Sequence, residues 1–447
     1  MSTKIVFERK IYDQMVKWKQ ERNGETALLI QGARRIGKST IVEDFAKREY
    51  KSYILIDFSK VKPEVTRLFE DLSDINYILM RLQIIYSTQL FERKSAIIFD
   101  EVQKQPLARQ AIKHLVADHR YDYIETGSLI SIKSNVKDII IPSEETRLDM
   151  YPMDFEEFRW ALGDRVTIPI IKQLFDKREP LGEATHRKLM RDFRLYMLVG
   201  GMPQAVIKYL ETNNMSEVDQ VKRDIIALYE EDMEKLDSRG KSKAIFDSIP
   251  SQLSKNESRF KATAAIPNEK PNRLVTTIHD MADSKTINVA YHSNDPNVGL
   301  ALTKDVERFK LFACDTGLFV TMAFKDNAKT EESIYNKLLN DKLSTNLGYI
   351  YENVVAQMLR ASGNELYYTT MRKDDGKGYY EVDFILSRGN KLWPIEVKSS
   401  GYKTHKSIDI FAQKYPNRIG TKVIIYTKDL CQKGDALYLP VYMTMFL

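Results

Sequence analysis

The chain has 447 residues, 43% of them hydrophobic and 10% aromatic, which is too long for one ordinary core and too apolar for a disordered polymer. Lysine and arginine number 68 against 62 for aspartate and glutamate, a formal charge of +6, which permits a polyanionic partner without demanding one. The two cysteines, Cys314 and Cys431, match no metal-ligand spacing and point to a reducing cytoplasm, the charged start MSTKIVFERK is unlike a signal peptide, and no run nears the roughly 20 apolar residues of a membrane helix.

From the N-terminus, residues 5–22 read as an amphipathic helix, with Ile5, Ile11, Tyr12, Met15, Val16 and Trp18 at near-helical spacing. Short apolar strands then alternate with helical patterns: TALLIQ, YILIDF, SAIIFDE and YDYIETGS. That alternation predicts an α/β unit with a parallel sheet, a P-loop NTPase domain over 1–153. GARRIGKST fits the phosphate-loop pattern between the apolar strand ALLIQ and the helical TIVEDFAKREY. Its residues Gly32, Ala33, Arg34, Arg35, Ile36, Gly37, Lys38, Ser39 and Thr40 would surround the phosphates of ATP. Gly32 and Gly37 allow the tight turn, Lys38 would reach the β- and γ-phosphates, and the Ser39 hydroxyl would hold Mg²⁺. Arg34 and Arg35 read equally as solvated positions.

SAIIFDEVQ places Asp100 and Glu101 at the C-terminal end of a buried strand, where open parallel sheets bind ligands. Asp100 is expected in the Mg²⁺ shell and Glu101 beside the attacking water. The strand YILIDF, lying between these two motifs in the chain, points to the additional-strand branch of P-loop ATPases. Asp57, at its end, reads as structural. In YIETGS, Ser128 or Thr126 reads either as a γ-phosphate sensor or as a helix cap. Arg147, in EETRLDMYPM, is placed before a last strand as a charge-stabilising arginine acting in cis or from a second copy of the chain.

Residues 154–239 read as a helical extension interrupted by VGGMPQA. Over 240–325, AIFDSIPSQLSKN and PNRLVTTIHDMADSKTINVAY read as two helices, and NVGLALTKDVERFKLFACD as a β-ribbon; helix, turn, helix and wing describe a winged-helix segment. Lys255, Lys261, Lys270 and Lys285 there suit phosphate contacts or a solvated face alike. In DTGL, Asp315 reads as a helix cap rather than a ligand.

Over 326–447, the helix IYENVVAQMLRAS precedes strands near 365–370, 380–387, 391–397 and 422–427. EVDFIL, the turn SRGN and KLWPIEVK predict a hairpin that presents Asp383, Glu396 and Lys398 together, because residues i and i+2 of a strand share a face. Two carboxylates collect a hard divalent cation such as Mg²⁺, and Lys398 can steady a water or the developing charge on a phosphodiester. Glu352 on the preceding helix is placed to complete the metal shell. A surface salt bridge between Glu396 and Lys398 is the plainer alternative.

Taken with YPMDFEEF, YMLVGGMPQAV, LYEEDMEK and FKLFACDTGLF, these motifs resemble, nearly end to end, a family of prokaryotic AAA-type ATPases with a C-terminal domain of uncharacterised role. The resemblance implies that the last segment is similar to the PD-(D/E)xK fold of restriction endonucleases and junction resolvases. Its metal and catalytic positions would fall on Glu352, Asp383, Glu396 and Lys398, with VD standing for PD. The chain departs from the family at Ala313-Cys314, where larger apolar residues are expected.

The expected function is therefore ATP hydrolysis coupled to DNA binding or remodelling, with metal-dependent DNA cleavage at the far end. A nucleotide-controlled switch or scaffold with a protein partner is the competing reading, and homo-oligomerisation is compatible with both. A nucleotide kinase is disfavoured, since no lid or acceptor-site pattern accompanies the P-loop.

Overall fold

The computed structural model describes residues 5–127, 143–237, 239–255, 257–326, 330, 332–340 and 348–447. They form two compact units, 1–151 and 152–447. Ser128 lies outside the described residues.

The first unit is built on five parallel strands: β1 (Ala27–Gln31), β2 (Ser52–Asp57), β3 (Ser95–Asp100), β4 (Asp122–Gly127) and β5 (Glu145–Asp149). Their order is β2-β3-β4-β1-β5. β1, β3 and β4 are buried along their whole length, as expected of strands covered on both faces. The strand that separates β1 from β3 in space is β4. β2, which lies between the two motifs in the chain, takes the edge beside β3.

The N-terminal helix spans only Ile11–Arg22, burying Ile11, Met15 and Trp18. Residues 5–9 before it are not helical, which leaves Arg9 available for another task. Arg147 lies inside β5, paired with Leu29, rather than ahead of a strand.

The second unit begins with helices Phe155–Ala161, Thr167–Lys177, Glu183–Val199, Pro203–Thr212 and Met215–Leu236, as the helical spacing predicts. Its sheet has eight strands: β6 (Ile287–Ser293), β7 (Lys304–Ala313), β8 (Leu366–Arg372), β9 (Tyr379–Arg388), β10 (Lys391–Lys398), β11 (Lys422–Tyr426), β12 (Cys431–Lys433) and β13 (Ala436–Pro440), in the order β12-β13-β11-β10-β9-β8-β6-β7. The hairpin β9–β10 forms with the expected turn, Arg388 opposite Lys391.

The segment read as a winged helix differs from expectation in two ways. Helix Pro271–Asp283 stops where Lys285 takes a left-handed backbone, φ 61°, and the alternating, β-branched INVAY that follows becomes β6 rather than more helix. The ribbon is thus β6 with β7, and β6 pairs in parallel with β8, Ala290 opposite Leu366. Strands from both sides of residue 325 therefore share one sheet. The helix Gly348–Ala361 packs against β10 and β7, and carries Glu352 into their neighbourhood.

Candidate functional site

In the first unit the phosphate loop joins β1 to the helix Lys38–Glu49, whose cap, Gly37, has φ 98°, a conformation that favours glycine. A Cβ at Gly32 would strike the Met150 carbonyl and the Ile36 side chain. The Lys38 ammonium is buried and donates to the carbonyls of Gly32 (3.0 Å) and Ala33 (2.8 Å). Ser39 Oγ donates to Asp100 Oδ1 at 2.7 Å, and the Thr126 hydroxyl donates to the same oxygen. The Thr126 hydroxyl also accepts from the Glu101 N–H at 3.2 Å. Glu101 sits in left-handed backbone, φ 56°, and its carboxylate accepts from Gln103 Nε2 at 2.6 Å. Four of the residues expected at the nucleotide site are therefore brought together: Lys38 on the loop, and Ser39, Asp100 and Glu101 around Thr126. A hydroxyl and a carboxylate already in contact are a fitting pair for Mg²⁺.

Two side chains behave otherwise. Arg147 Nε pairs with Glu145 at 3.4 Å, and its register partner is Leu29, two residues before the end of β1. Glu145 also meets the buried Arg109 at 2.8 Å, next to the buried Glu125, whose carboxyl is pushed up to about 8 by burial and by Glu145. Arg9, by contrast, gave no motif. Its guanidinium donates to Ile36 O at 2.9 Å and to Tyr151 O at 2.6 Å, fastening the loop to the last residue of the unit.

In the second unit a cavity of about 510 Å³ is lined by Glu352, Glu381, Asp383, Glu396 and Lys398 together with Tyr379 and several serines. One oxygen each of Glu352, Glu381 and Asp383 lie within 4.8 Å of one another. Glu381 and Asp383 project from the same face of β9 two residues apart. β9 carries an extra residue opposite the stretch between Thr369 and Tyr367 of β8; such bulges recur beside active sites, where they re-aim side chains. Asp383 Oδ2 accepts from the Val397 N–H at 2.7 Å, tying the two strands of the hairpin.

Glu396 and Lys398 share a face of β10 and pair at 2.7 Å, as the plainer sequence reading expects. Glu396 stands outside the three-carboxylate group, yet its Oε2 is buried with no hydrogen-bond partner. An orphaned carboxylate oxygen is costly to keep, and a cation in the cavity would relieve it. The residues fit a divalent metal on that ground.

Sequence reasoning missed Glu381 and Lys310. The former was legible as E-x-D on a strand of period two. Lys310, from β7, donates to Glu352 Oε1 at 2.8 Å and to Glu381. Burial works against its charge, but Glu352, Glu381 and Asp383 outweigh burial and hold the ammonium well above the ordinary lysine range. Burial raises the Glu381 carboxyl, with Lys310 pulling it back. Burial, then the charge of Glu352, pushes Asp383 well above the usual carboxylate range.

Residues 24–159 match the family model described as an AAA domain. The first unit carries an AAA domain of the P-loop type. Residues 190–329 match a domain of unknown function, DUF8612, and residues 347–443 another, DUF4143. No curated protein matches the sequence. Among solved structures, the chain is similar to a Walker-type ATPase of Pyrococcus abyssi at 13% identity and TM-score 0.42, covering 71% of this chain and 96% of that one. It is also similar to a STAND signal-transduction ATPase with a tetratricopeptide repeat sensor from Pyrococcus horikoshii, at 12% identity and TM-score 0.29, covering 79% and 48%. A third likeness is to Cdc6p of Pyrobaculum aerophilum, at 12% identity and TM-score 0.26, covering 76% and 97%. These likenesses are too distant to bear on what this chain acts upon. No helix among the described residues is long and apolar enough to cross a membrane.

Proposed function

We propose that this AAA-type ATPase hydrolyses ATP in its first unit and acts on DNA through its second, where the acidic cavity cleaves phosphodiesters with a divalent cation. The observation that carries the reading is the close group Glu352, Glu381 and Asp383 beside the orphaned Glu396 and its partner Lys398.

In the nucleotide site, Lys38, now bonded to two loop carbonyls, would bind phosphate oxygens, while Ser39 and Asp100 would hold the Mg²⁺ that accompanies ATP. Glu101 orients the attacking water, held in place by Gln103 and by the backbone bond to Thr126. Gly32 to Thr40 supply the phosphate cradle, and Ser128 is retained as a sensor candidate. Arg147 serves as the charge-stabilising arginine, in cis or from a second copy of the chain. In the cavity, Glu352, Asp383 and Glu396, joined by Glu381, would hold Mg²⁺, which when bound supplies an acidified water and offsets phosphate charge. Lys398 donates to the non-bridging oxygens, and Val397 holds Asp383 in place through its N–H.

The test is cleavage of supercoiled plasmid and branched DNA by the full chain in Mg²⁺ or Mn²⁺. Asp383→Ala, Glu396→Ala and Lys398→Ala should each lower the rate at least about a hundredfold, whereas Lys38→Ala should abolish ATP hydrolysis. Metal-dependent nicking that survives Asp383→Ala would refute the cleavage reading.

A second reading has one specific observation in its favour. Lys310 already bonds to Glu352 and Glu381, so the acidic cluster has an internal counter-ion and can persist as structure. On that reading the protein is a nucleotide-controlled switch for a protein partner, and no metal-dependent cleavage is seen with any DNA.

A further inference from the structure

The cavity has an unequal mouth. At one end of the acidic face of β9, Tyr379 lines the same cavity as Glu381 and Asp383 and keeps 54% of its surface exposed. Residues 379, 381 and 383 share one face of that strand, which sets Tyr379 beside the acids. The other border is hydroxyl-rich: Ser399, Ser400 and Ser407 line it, just past Lys398. Lys406, immediately before Ser407, and Lys373 each stand with Nζ 5.5 Å from the ring of Tyr380, the neighbour of Tyr379 on the opposite face of β9. The acids and Lys398 thus share the cavity with hydroxyls at one border and the Tyr379 ring at the other.

An exposed tyrosine ring at this place has a use that depends on the nucleic acid's form. Inside a duplex each base is already stacked on its neighbours, and its faces are closed to a side chain. An unpaired base has open faces and can stack on the ring. We propose that Tyr379 is a stacking platform for an unpaired nucleotide next to the scissile phosphate, so that the second unit takes single-stranded DNA or a single-stranded flap in preference to intact duplex. This rests on the cleavage reading above and specifies its substrate. Lys398 steadies the phosphate at the acids.

The test measures binding of the full chain to a labelled oligothymidylate and to a blunt duplex of equal length, with Ca²⁺ present to hold off cleavage. The single strand should bind at least about tenfold more tightly than the duplex at moderate salt. Tyr379→Ala should weaken the single strand about tenfold and leave the duplex unchanged, while Tyr379→Phe keeps the preference, which separates loss of stacking from loss of fold. Equal affinity for the two DNAs, or a Tyr379→Ala loss shared by both, overturns the proposal. Calorimetry with Mn²⁺ on the same protein separates the two levels. A chain that binds Mn²⁺ through Asp383 but shows no Tyr379-dependent preference keeps the cleavage reading and loses this one. A chain that binds no Mn²⁺ loses both.

Discussion

A buried ammonium is unfavourable unless carboxylates surround it, and removing one partner of such a pair leaves the other charge stranded. Lys310, 5% exposed, has Glu352 and Glu381 as hydrogen-bond partners and Asp383 nearby. A metal ion held by the same oxygens would compete with this ammonium for them. Lys310→Met should therefore raise Mn²⁺ affinity about tenfold by calorimetry, on the scale of a single charge interaction. In EDTA the same variant should melt earlier than the parent, since four carboxyl groups then face only Lys398. Unchanged Mn²⁺ affinity would mean that the ammonium and the ion use different space. Lys310 also marks the limit of what the sequence discloses at this scale. Glu396, Lys398 and Asp383 are readable because they share one hairpin, and Glu381 is readable by period. Lys310 reaches them across 71 residues from Glu381, and nothing local to FKLF says which acids it meets. A charged residue inside an apolar strand signals only that some partner exists.

Elements meet most closely where glycines leave room. Helix Glu183–Val199 ends at Gly200, φ 85°, and the following Gly201 N–H donates to Asp315 Oδ2 at 2.6 Å. Asp315 caps the next helix at the same time, accepting from Leu318 N at 2.9 Å, as the turn chemistry of DTGL predicts. A Cβ on Gly317 would lie 2.5 Å from Gly200 Cα and 2.7 Å from Val199 O, closer than atoms approach without displacement. The two backbones touch, and neither can move without pulling the helix behind it. Gly317→Ala should cost about 1–3 kcal/mol of the second unit's stability, read as a lower denaturant midpoint with an unchanged slope. A midpoint equal to that of the parent would show that this contact yields freely. Legibility differs among elements for physical reasons. β1 to β4 and β8 to β11 announce themselves by apolar runs bounded by polar turns. β6 follows a helix of similar composition without a glycine or proline between them, so periodicity alone extends the helix through it. The placement of β4 between β1 and β3 is a matter of pairing across distance, on which local sequence is silent.

At the scale of the whole chain, the open matter is whether nucleotide state reaches the second unit. One route starts inside the first unit. Arg9 fastens Ile36 O of the phosphate loop to Tyr151 O, and Gly32 backs onto the Met150 carbonyl. If bound phosphate draws Lys38 away from Gly32 O and Ala33 O, as proposed above, the loop backbone is released at one bond and held at the next. Any resulting movement would then be felt at residues 150–151, where the chain passes from one unit to the other. Coupling of this kind is a free energy shared by both ligands and is reciprocal. If it operates, a non-hydrolysable ATP analogue with Mg²⁺ should change oligothymidylate affinity by some 5- to 150-fold, and saturating oligothymidylate should change analogue affinity by the same factor. Arg9→Ala should shrink both factors together towards one, because it cuts the link between loop and exit without touching phosphate or DNA. A factor near one in the parent chain, with both ligands bound, would mean two independent sites on one polypeptide. Unequal factors would instead expose a second binding site for one of the ligands, since linkage admits no asymmetry at equilibrium. The Arg9 variant adds direction to that result: a coupling that survives it intact must leave the first unit by some path other than the bond between the phosphate loop and Tyr151.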